Sequence, residues 1–312
     1  MVEPLVSLPT FTQLSKTVWR VLGLNPGKFT LQGTNTYLLG AGAKKLLIDS
    51  GQGIPEYIPL LHESLQKISP DAYISDIIIT HSHPDHFGGL KDILGSSLLN
   101  KHKNGITVHK FPAPILNRYS EHQSLFPEDV PFEPLSNGEV FKADSVTLRV
   151  VHTPGHTKDH CTFFLEEENS LFTADCVLGQ GTPVFEDLHE YLLGLRKLVE
   201  LNPTRLYPGH GPVIEDGVAK LKEYISHREL REKQLVDLLT SQEGKQWTSM
   251  EVTTMLYKDY PESLHLPAAR GIMLILQKLE KEGKAKMAEG PTEGKNVMDL
   301  INKEWSWIES SL

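Results

Sequence analysis

The chain has 312 residues, more than one average domain, and its 39% hydrophobic and 23% charged residues are typical of a folded protein. Its formal net charge of -9 argues against a protein coated with basic patches for nucleic acid. No apolar run approaches the roughly 20 residues that span a bilayer, and no secretory-signal pattern opens the sequence, so we expect no membrane partner and a cytoplasmic protein.

The first predicted elements are short strands joined by tight turns. Runs with strand character occupy residues 18–22, 34–39 and 45–51. A turn signal at 25–27 separates the first two, which predicts an antiparallel meander rather than helical crossovers. Apolar residues three and four apart then predict a helix over 54–68, which leads into an isoleucine-rich strand at 73–79.

Directly after this strand come four metal-binding side chains within six residues. They are His81, His83, Asp85 and His86. The first two alternate with one serine and can point the same way from an extended segment, whereas the second two follow a proline bend and face another position. The pattern therefore predicts one short loop that serves two metal ions.

The remaining elements of the first two-thirds are also short. We predict a helix over 90–99, a strand near 106–108 and a long loop that ends near residue 135. Further strands are predicted at residues 146–151, 163–165, 171–175 and around 206–211.

Three more candidate ligands each follow a short apolar segment beside a glycine or a turn. They are His156, Asp175 and His210. We expect them to share one rim of a β-sandwich, where strands end. The sequence therefore predicts two metal ions. The first would be bound by His81, His83 and His156. The second would be bound by Asp85, His86 and His210, with Asp175 as a bridge.

Several neighbouring residues are interpreted as supporting ones. His152 and His160 are predicted either to support the ligands or to be hydrogen-bonded core histidines, rather than to be ligands, because the seven named groups already fill two sites. Asp49, which ends a strand near the same rim, is expected to hydrogen-bond a ligand histidine. Cys161 and Cys176 are predicted to be reduced core residues.

From about residue 217 the pattern becomes helix-rich. Apolar spacing predicts one long helix or a pair between residues 221 and 239 and another helix around 272–279, and a Gly-Pro turn at 290–291 suggests a hairpin wing. We therefore predict a catalytic domain over 1–216 and a winged-helix-like domain over 217–312. The lysines near the end of the second helix are interpreted as solvated partners of the helix dipole, with nucleic-acid contact as the alternative. They are Lys278, Lys281, Lys284 and Lys286.

The ligand motifs resemble those of the metallo-β-lactamase superfamily. The signature His-x-His-x-Asp-His spans 81–86, and the later motifs lie at 153–157, 172–175 and 207–211. The segments 25–38 and 181–188 make the chain similar to the β-lactamase-like protein 2 subfamily. That resemblance implies an αββα sandwich, two zinc ions and a C-terminal winged-helix appendage.

The same ligands indicate hydrolysis by a metal-bound hydroxide, with Asp85 orienting the attacking water. The resemblance implies two substrates that the metal ligands do not separate. The first is single-stranded RNA, cleaved by an endoribonuclease, and the alternative is an acyl or polyketide thioester hydrolysed from its carrier. A third hypothesis is a metal-bearing binding protein whose function lies in the winged helix. The resemblance also gives the mitochondrial matrix as an alternative location.

Overall fold

The computed structural model describes residues 4–101, 105–112, 126–242, 244–259, 261–292 and 295–308. The chain forms two compact units, the first made of Met1–Phe185 with Gly194–Leu221 and the second of Glu186–Leu193 with Lys222–Leu312. The predicted domain boundary after residue 216 stays a prediction. Residues 113–125 of the predicted long loop lie outside the described ranges.

A seven-stranded sheet in the first unit positions the predicted ligand loop. Its strands are β1 (Phe11–Gln13), β2 (Val18–Leu22), β3 (Asn35–Leu39), β4 (Lys44–Ile48), β5 (Tyr73–Ile79), β6 (Thr107–Lys110) and β7 (Glu133–Pro134), and they lie in that order. The first four are antiparallel neighbours, which confirms the predicted meander. From β4 to β7 the strands run parallel, so that their carboxyl ends meet at one edge.

A second sheet of five strands faces the first. Its strands are β8 (Val140–Ala143), β9 (Val146–His152), β10 (Cys161–Leu165), β11 (Ser170–Ala174) and β12 (Arg205–Pro208), in the order β12-β11-β10-β9-β8. The pairs are antiparallel except for β11 with β12, which are parallel. The loops that follow β11 and β12 therefore leave the sheet at the same edge.

Apolar side chains cover both faces of the first sheet. The cluster between the two sheets includes Leu39, Leu46, Ile78, Leu148, Phe163 and Phe172. The neighbouring residues along the same strands point to the opposite face, because side chains alternate along a strand. There they pack on α1 (Tyr57–Ile68) and α3 (Leu90–Gly95), through Leu38, Leu47, Ile77, Leu61, Leu65 and Ile93. Burial on both faces explains the continuous apolar runs that marked these strands in the sequence.

Other helices of the chain are α2 (Pro84–Phe87), between β5 and α3, and α4 (Leu188–Glu200), in which Gly194 lies against Thr153 after β9. The predicted helix 54–68 begins at Tyr57, and the predicted helix 90–99 ends at Gly95. A proline bend was predicted where the structure has α2. The single helical turn arises because Pro84 fits the first position of a helix, where its missing N–H costs no hydrogen bond.

The second unit carries a small sheet and several helices. Its elements are most of α5 (Gly217–Thr240), β13 (Trp247–Thr248), α6 (Ser249–Leu256), α7 (His265–Lys281), β14 (Ala285–Met287), α8 (Val297–Leu300) and β15 (Glu304–Trp307). The strands lie in the order β13-β15-β14, and α6 begins with a capping box between Thr248 and Glu251. The predicted apolar face of the second helix is confirmed, because Ile272, Leu276 and Leu279 are buried in α7.

The lysine interpretation needs correction. Lys278 is buried and forms ion pairs with Glu232 at 2.9 Å and Glu282 at 2.6 Å, so it is not a solvated partner of the helix dipole. Lys284 also pairs with Glu282, at 2.7 Å. The sequence pattern showed the lysines but not the carboxylates that α5 and the end of α7 bring to them.

Two other sequence expectations have direct structural outcomes. Cys161 and Cys176 are both buried and reduced, as predicted. Across the described ranges, no helix combines the length and the apolar character needed to cross a membrane.

Candidate metal centre

The seven predicted ligands lie where strands of both sheets end. His81 and His83 follow β5, Asp85 and His86 are in α2, His156 is between β9 and β10, Asp175 directly follows β11, and His210 follows β12. The structure brings all seven together into two adjacent groups. His81, His83, His156 and Asp175 form the three-histidine group. Asp85, His86 and His210 form the aspartate-histidine group. Within each group, one ligand atom per residue lies within 4.8 Å of all the others.

Three imidazole nitrogens of the three-histidine group converge on one point. His81 Nε2 lies 2.8 Å from His83 Nδ1, and His156 Nε2 lies 3.2 Å and 2.9 Å from these two atoms. His81 and His83 come from the first sheet and His156 from the second. The group therefore depends on how the two sheets pack, in addition to the local loop.

The aspartate-histidine group is centred on Asp85. Its Oδ2 lies 3.3 Å from His86 Nε2 and 3.2 Å from His210 Nε2. Asp175 faces both groups with different oxygens. Its Oδ1 lies 3.4 Å from each of those two nitrogens, and its Oδ2 lies 3.7 Å from His156 Nε2. This is the arrangement expected of a bridging carboxylate.

The donor atoms fit divalent ions. Tetrahedral zinc with nitrogen ligands at about 2.0–2.1 Å places those nitrogens about 3.3 Å apart, close to the spacings in the three-histidine group. His86 Nε2 and Asp175 Oδ1 are buried yet make no hydrogen bond, although buried polar atoms almost always find a partner. A cation between the two would satisfy both atoms. The His/Asp cluster is thus compatible with a metal site.

The three histidines of the three-histidine group are neutral near pH 7, because their pKa values are lowered. Burial lowers the pKa of His81 well below its usual value, and the neighbouring histidines lower it further. Burial likewise lowers the pKa of His83, to about 4, and that of His156. Neutral imidazoles have a free lone pair, so these nitrogens are available to a metal ion without first losing a proton.

The two histidines of the aspartate-histidine group have raised pKa values instead. Burial alone lowers the pKa of His210, but Asp175 and Asp85 outweigh burial and raise it to about 9. The pKa of His86 is raised well above its usual value by the same two carboxylates and Asp49, again against burial. Burial raises the pKa of Asp85, but the two histidines hold it far below its usual range. A cation that binds to this group displaces the protons that its histidines carry.

The outer nitrogens of the ligand histidines also have partners. His86 Nδ1 lies 2.7 Å from Asp49 Oδ2, which confirms the expected contact of Asp49 with a ligand histidine. His156 Nδ1 lies 2.6 Å from the carbonyl oxygen of Val184, and His210 Nδ1 lies 3.4 Å from that of Gly33. Such contacts fix the ring orientation and the tautomer of a ligand histidine.

The two remaining histidines near the rim are not members of either group. His160 is buried, and its Nδ1 lies 3.0 Å from Thr153 Oγ1, as expected of a hydrogen-bonded core histidine. His152 stacks on Phe111 with ring centroids 3.9 Å apart, and its Nε2 lies 2.9 Å from the carbonyl oxygen of Lys158.

Gly209 is part of the site but was not singled out from the sequence. A Cβ at this position would lie 2.4 Å from Asp175 Oδ1 and 3.1 Å from His86 Cε1, closer than side chains tolerate. The glycine therefore allows the backbone beside His210 to approach the other ligands. Its position directly before a ligand histidine was the available signal.

Comparisons with known proteins identify the family. A model of the metallo-β-lactamase superfamily matches residues 29–210, and a model of the β-lactamase-associated winged helix domain matches residues 248–295. The "Beta-lactamase-like protein 2 homolog" of Drosophila melanogaster is 41% identical over 287 residues, which are 92% of this chain and 95% of that protein.

A fungal relative has a more specific name. The "Atrochrysone carboxyl ACP thioesterase" of Aspergillus novofumigatus is 40% identical over 235 residues, which are 75% of this chain and 66% of that protein. Among solved structures, a β-lactamase domain protein from Burkholderia ambifaria has a TM-score of 0.73 at 17% identity, and the match covers 97% of this chain and 95% of that one.

These matches confirm the predicted fold class, a mixed α/β metallo-β-lactamase sandwich with a C-terminal winged-helix domain. They also support the prediction that the chain belongs to a family of hydrolases, without specifying a substrate. The chain belongs to the metallo-β-lactamase superfamily, among relatives named β-lactamase-like protein 2.

Proposed function

We propose that the protein is a hydrolase that binds two zinc ions. The ligands of one ion are His81, His83 and His156, those of the other are Asp85, His86 and His210, and Asp175 bridges the two. The single observation that carries this proposal is the placement of the Asp175 oxygens, one toward each group of histidines. Zinc suits the donor set, because imidazole and carboxylate ligands in low number are typical of its catalytic sites.

When bound, such a pair of ions supplies a water molecule of lowered pKa and polarises a carbonyl or phosphoryl oxygen. We assign to Asp85 the orientation of that water. Its Oδ2 faces His86 and His210, which leaves Oδ1 to accept a hydrogen bond from the nucleophile. Since the pKa of Asp85 is far below its usual range, the carboxylate stays ionised and remains an acceptor.

The first proposed substrate is single-stranded RNA, cleaved internally. The winged-helix match supports it, because helix-turn-helix folds commonly bind nucleic acids. Charge supports it as well. Residues 217–312 contain 14 Lys and Arg against 15 Asp and Glu, a net of -1, whereas residues 1–216 contain 17 against 25, a net of -8. A polyanion meets less repulsion at the C-terminal part.

The second proposed substrate is an acyl thioester on a carrier. The name of the fungal relative favours it, since that protein is called an ACP thioesterase and aligns over 75% of this chain. The same nucleophile would attack a carbonyl carbon instead of phosphorus. The ligand geometry accommodates both reactions, so the substrate is a question for the experiment.

The deciding experiment offers zinc-loaded protein an end-labelled single-stranded RNA and, separately, an acyl thioester on an acyl carrier protein. His83→Ala in both assays reveals any contaminating activity. RNA fragments that appear with the wild type and disappear with the variant would support the nuclease. Thioester hydrolysis without RNA cleavage would move the assignment to the thioesterase, and inactivity of fully loaded protein on both would count against each proposed substrate.

A further inference from the structure

A buried carboxylate outside the two ligand groups connects the loops that carry them. Asp159 is only 1% exposed and accepts three hydrogen bonds. Ser82 Oγ donates across 2.5 Å, Thr157 Oγ1 across 2.8 Å and Lys110 Nζ across 2.8 Å. Three donors satisfy the buried carboxylate, so it can remain ionised in the interior.

The donors to Asp159 come from both sheets. Ser82 lies between His81 and His83 in the loop after β5, whereas Thr157 directly follows His156 in the loop after β9. The backbone joins the same two loops, because the amide of Cys161 donates to the carbonyl oxygen of Thr80 across 2.9 Å. Asp159 therefore ties together the two loops that supply the three histidines.

Lys110 provides the opposing charge. Lys110 is the last residue of β6, at the edge of the first sheet where the parallel strands end and the ligand loop begins. Its side chain is 5% exposed. Burial alone raises the pKa of Asp159, but the charge of Lys110 and the hydrogen bonds to the carboxylate outweigh burial and hold the pKa below its usual value. The Asp159 carboxylate therefore stays ionised, and Lys110 lies beside it as its counter-charge.

We propose that Asp159 is a positioning residue that sets the spacing of His81, His83 and His156 through Ser82 and Thr157, and so determines how tightly the three-histidine group binds a divalent ion. The inference rests on the proposed metal binding and is independent of the substrate. Asp159 acts through its neighbours and is not itself a ligand.

The reason is geometric. The nitrogens of the group lie 2.8–3.2 Å apart, and two of the three come from a different sheet than the third. Without the carboxylate, the Ser82 and Thr157 hydroxyls lose their common acceptor and the loops can separate. A displacement of about 0.5 Å is enough to spoil a ligand constellation. The aspartate-histidine group has its own support at Asp49 and should be affected less.

The test is a zinc titration of metal-free protein in competition with a chromophoric chelator, followed by cobalt substitution and visible spectroscopy. We expect the wild type to bind two ions and Asp159→Asn to bind one of them about 10–100-fold more weakly, the usual range for a residue that supports ligands. The cobalt d–d bands, which report ligand geometry, should change in the variant.

Asp76→Asn is the matched control. Asp76 is a partly buried aspartate in β5 that pairs with His109, the neighbour of Lys110, at 3.0 Å. It precedes the first ligand, His81, by five residues. Asp76→Asn should leave both zinc affinities and the cobalt spectrum as in the wild type. If Asp159→Asn lowers only the melting temperature and leaves the cobalt spectrum unchanged, its effect is a general loss of stability, and the inference would be overturned.

Ser82→Ala and Thr157→Val each remove one of the hydroxyl groups that donate to Asp159. They replace Asp159→Asn in the zinc titration if that variant does not fold. Each should weaken the same ion, by less than the full loss, and unchanged affinity in both would overturn the inference. A wild type that binds two ions with Asp159→Asn unchanged would reject the role of Asp159 and leave the proposed function standing. A wild type that binds no zinc would reject both.

Discussion

His86 Nδ1 and Asp49 Oδ2 lie 2.7 Å apart, and both side chains are buried. Asp49 is itself fixed, because its Oδ1 accepts from the Thr80 amide across 2.8 Å and its Oδ2 from the Thr80 hydroxyl across 3.0 Å. The imidazole must donate to this carboxylate, which directs the opposite nitrogen, Nε2, toward Asp85 and Asp175. Asp49 thereby determines which way a ligand histidine faces.

Asp49→Asn should weaken the metal ion of the aspartate-histidine group about 10–100-fold, a loss typical of residues that hold ligand histidines. The amide offers only one acceptor oxygen, so either Thr80 or His86 would face an NH₂ group. The zinc content after dialysis against a graded chelator measures the effect. Asp129→Asn is the control, since Asp129 is exposed and pairs with Lys91. Equal zinc retention in both variants would contradict the role of Asp49.

His83→Ala should remove one of the two ions and lower hydrolysis by at least about 100-fold, since a lost ligand costs more than a lost supporting contact. Metal analysis and steady-state rates on whichever substrate is turned over test this. His152→Ala is the matched control, because it removes an imidazole that lies outside both groups. Two ions retained with full turnover in His83→Ala would show that His83 is not a ligand.

Local sequence carried most of the information about the ligands. His81 to His86 follow β5 within a few residues, and a buried strand that ends in a ligand-rich loop is readable without knowing the fold. His156, Asp175 and His210 were also predictable, because each follows an apolar strand. What they share is a place at a strand end, and strand ends meet at one rim.

Contacts between distant parts of the chain could not be predicted in the same way. Nothing near Asp159 indicates that Ser82 and Lys110 will meet it, since they are 77 and 49 positions away along the chain. The pairing of Lys278 with Glu232 is similarly remote. The predicted end of the helix over 90–99 was inaccurate for another reason. Apolar residues continue at helical spacing beyond Gly95, where α3 ends.

Lys286→Glu should weaken the binding of single-stranded RNA if the winged-helix domain contacts the strand. Lys286 is exposed in β14, so a phosphate could approach it, and losing one such contact reduces the salt dependence of binding by about one unit of log–log slope. Fluorescence anisotropy at several salt concentrations measures this. Lys67→Glu on α1, an exposed lysine of the other unit, should have a smaller effect. Equal effects would place RNA binding elsewhere than at this wing.

The Asp159–Lys110 pair should make the free energy of unfolding depend on pH in the acid range. The pKa of Asp159 is below its usual value in the folded protein, so its contribution is fully present above the unfolded pKa of about 3.9 and is lost as the pH falls through the folded pKa. At neutral pH, Asp159→Asn should cost about 3–5 kcal/mol, because Lys110 stays buried without its counter-charge.

Denaturant unfolding of metal-free wild type and Asp159→Asn, compared from neutral pH to about pH 3, tests this dependence. The difference in unfolding free energy between the two proteins should stay constant down to about pH 5 and shrink below about pH 4, because the Asp159 carboxylate of the unfolded wild type takes up a proton before that of the folded protein does. Metal-free protein is required, because acid also releases ions from histidine ligands. A difference that remains constant through the acid range would mean that the pKa of Asp159 is the same in the folded and the unfolded protein, and a stabilising ion pair with Lys110 would have to be rejected.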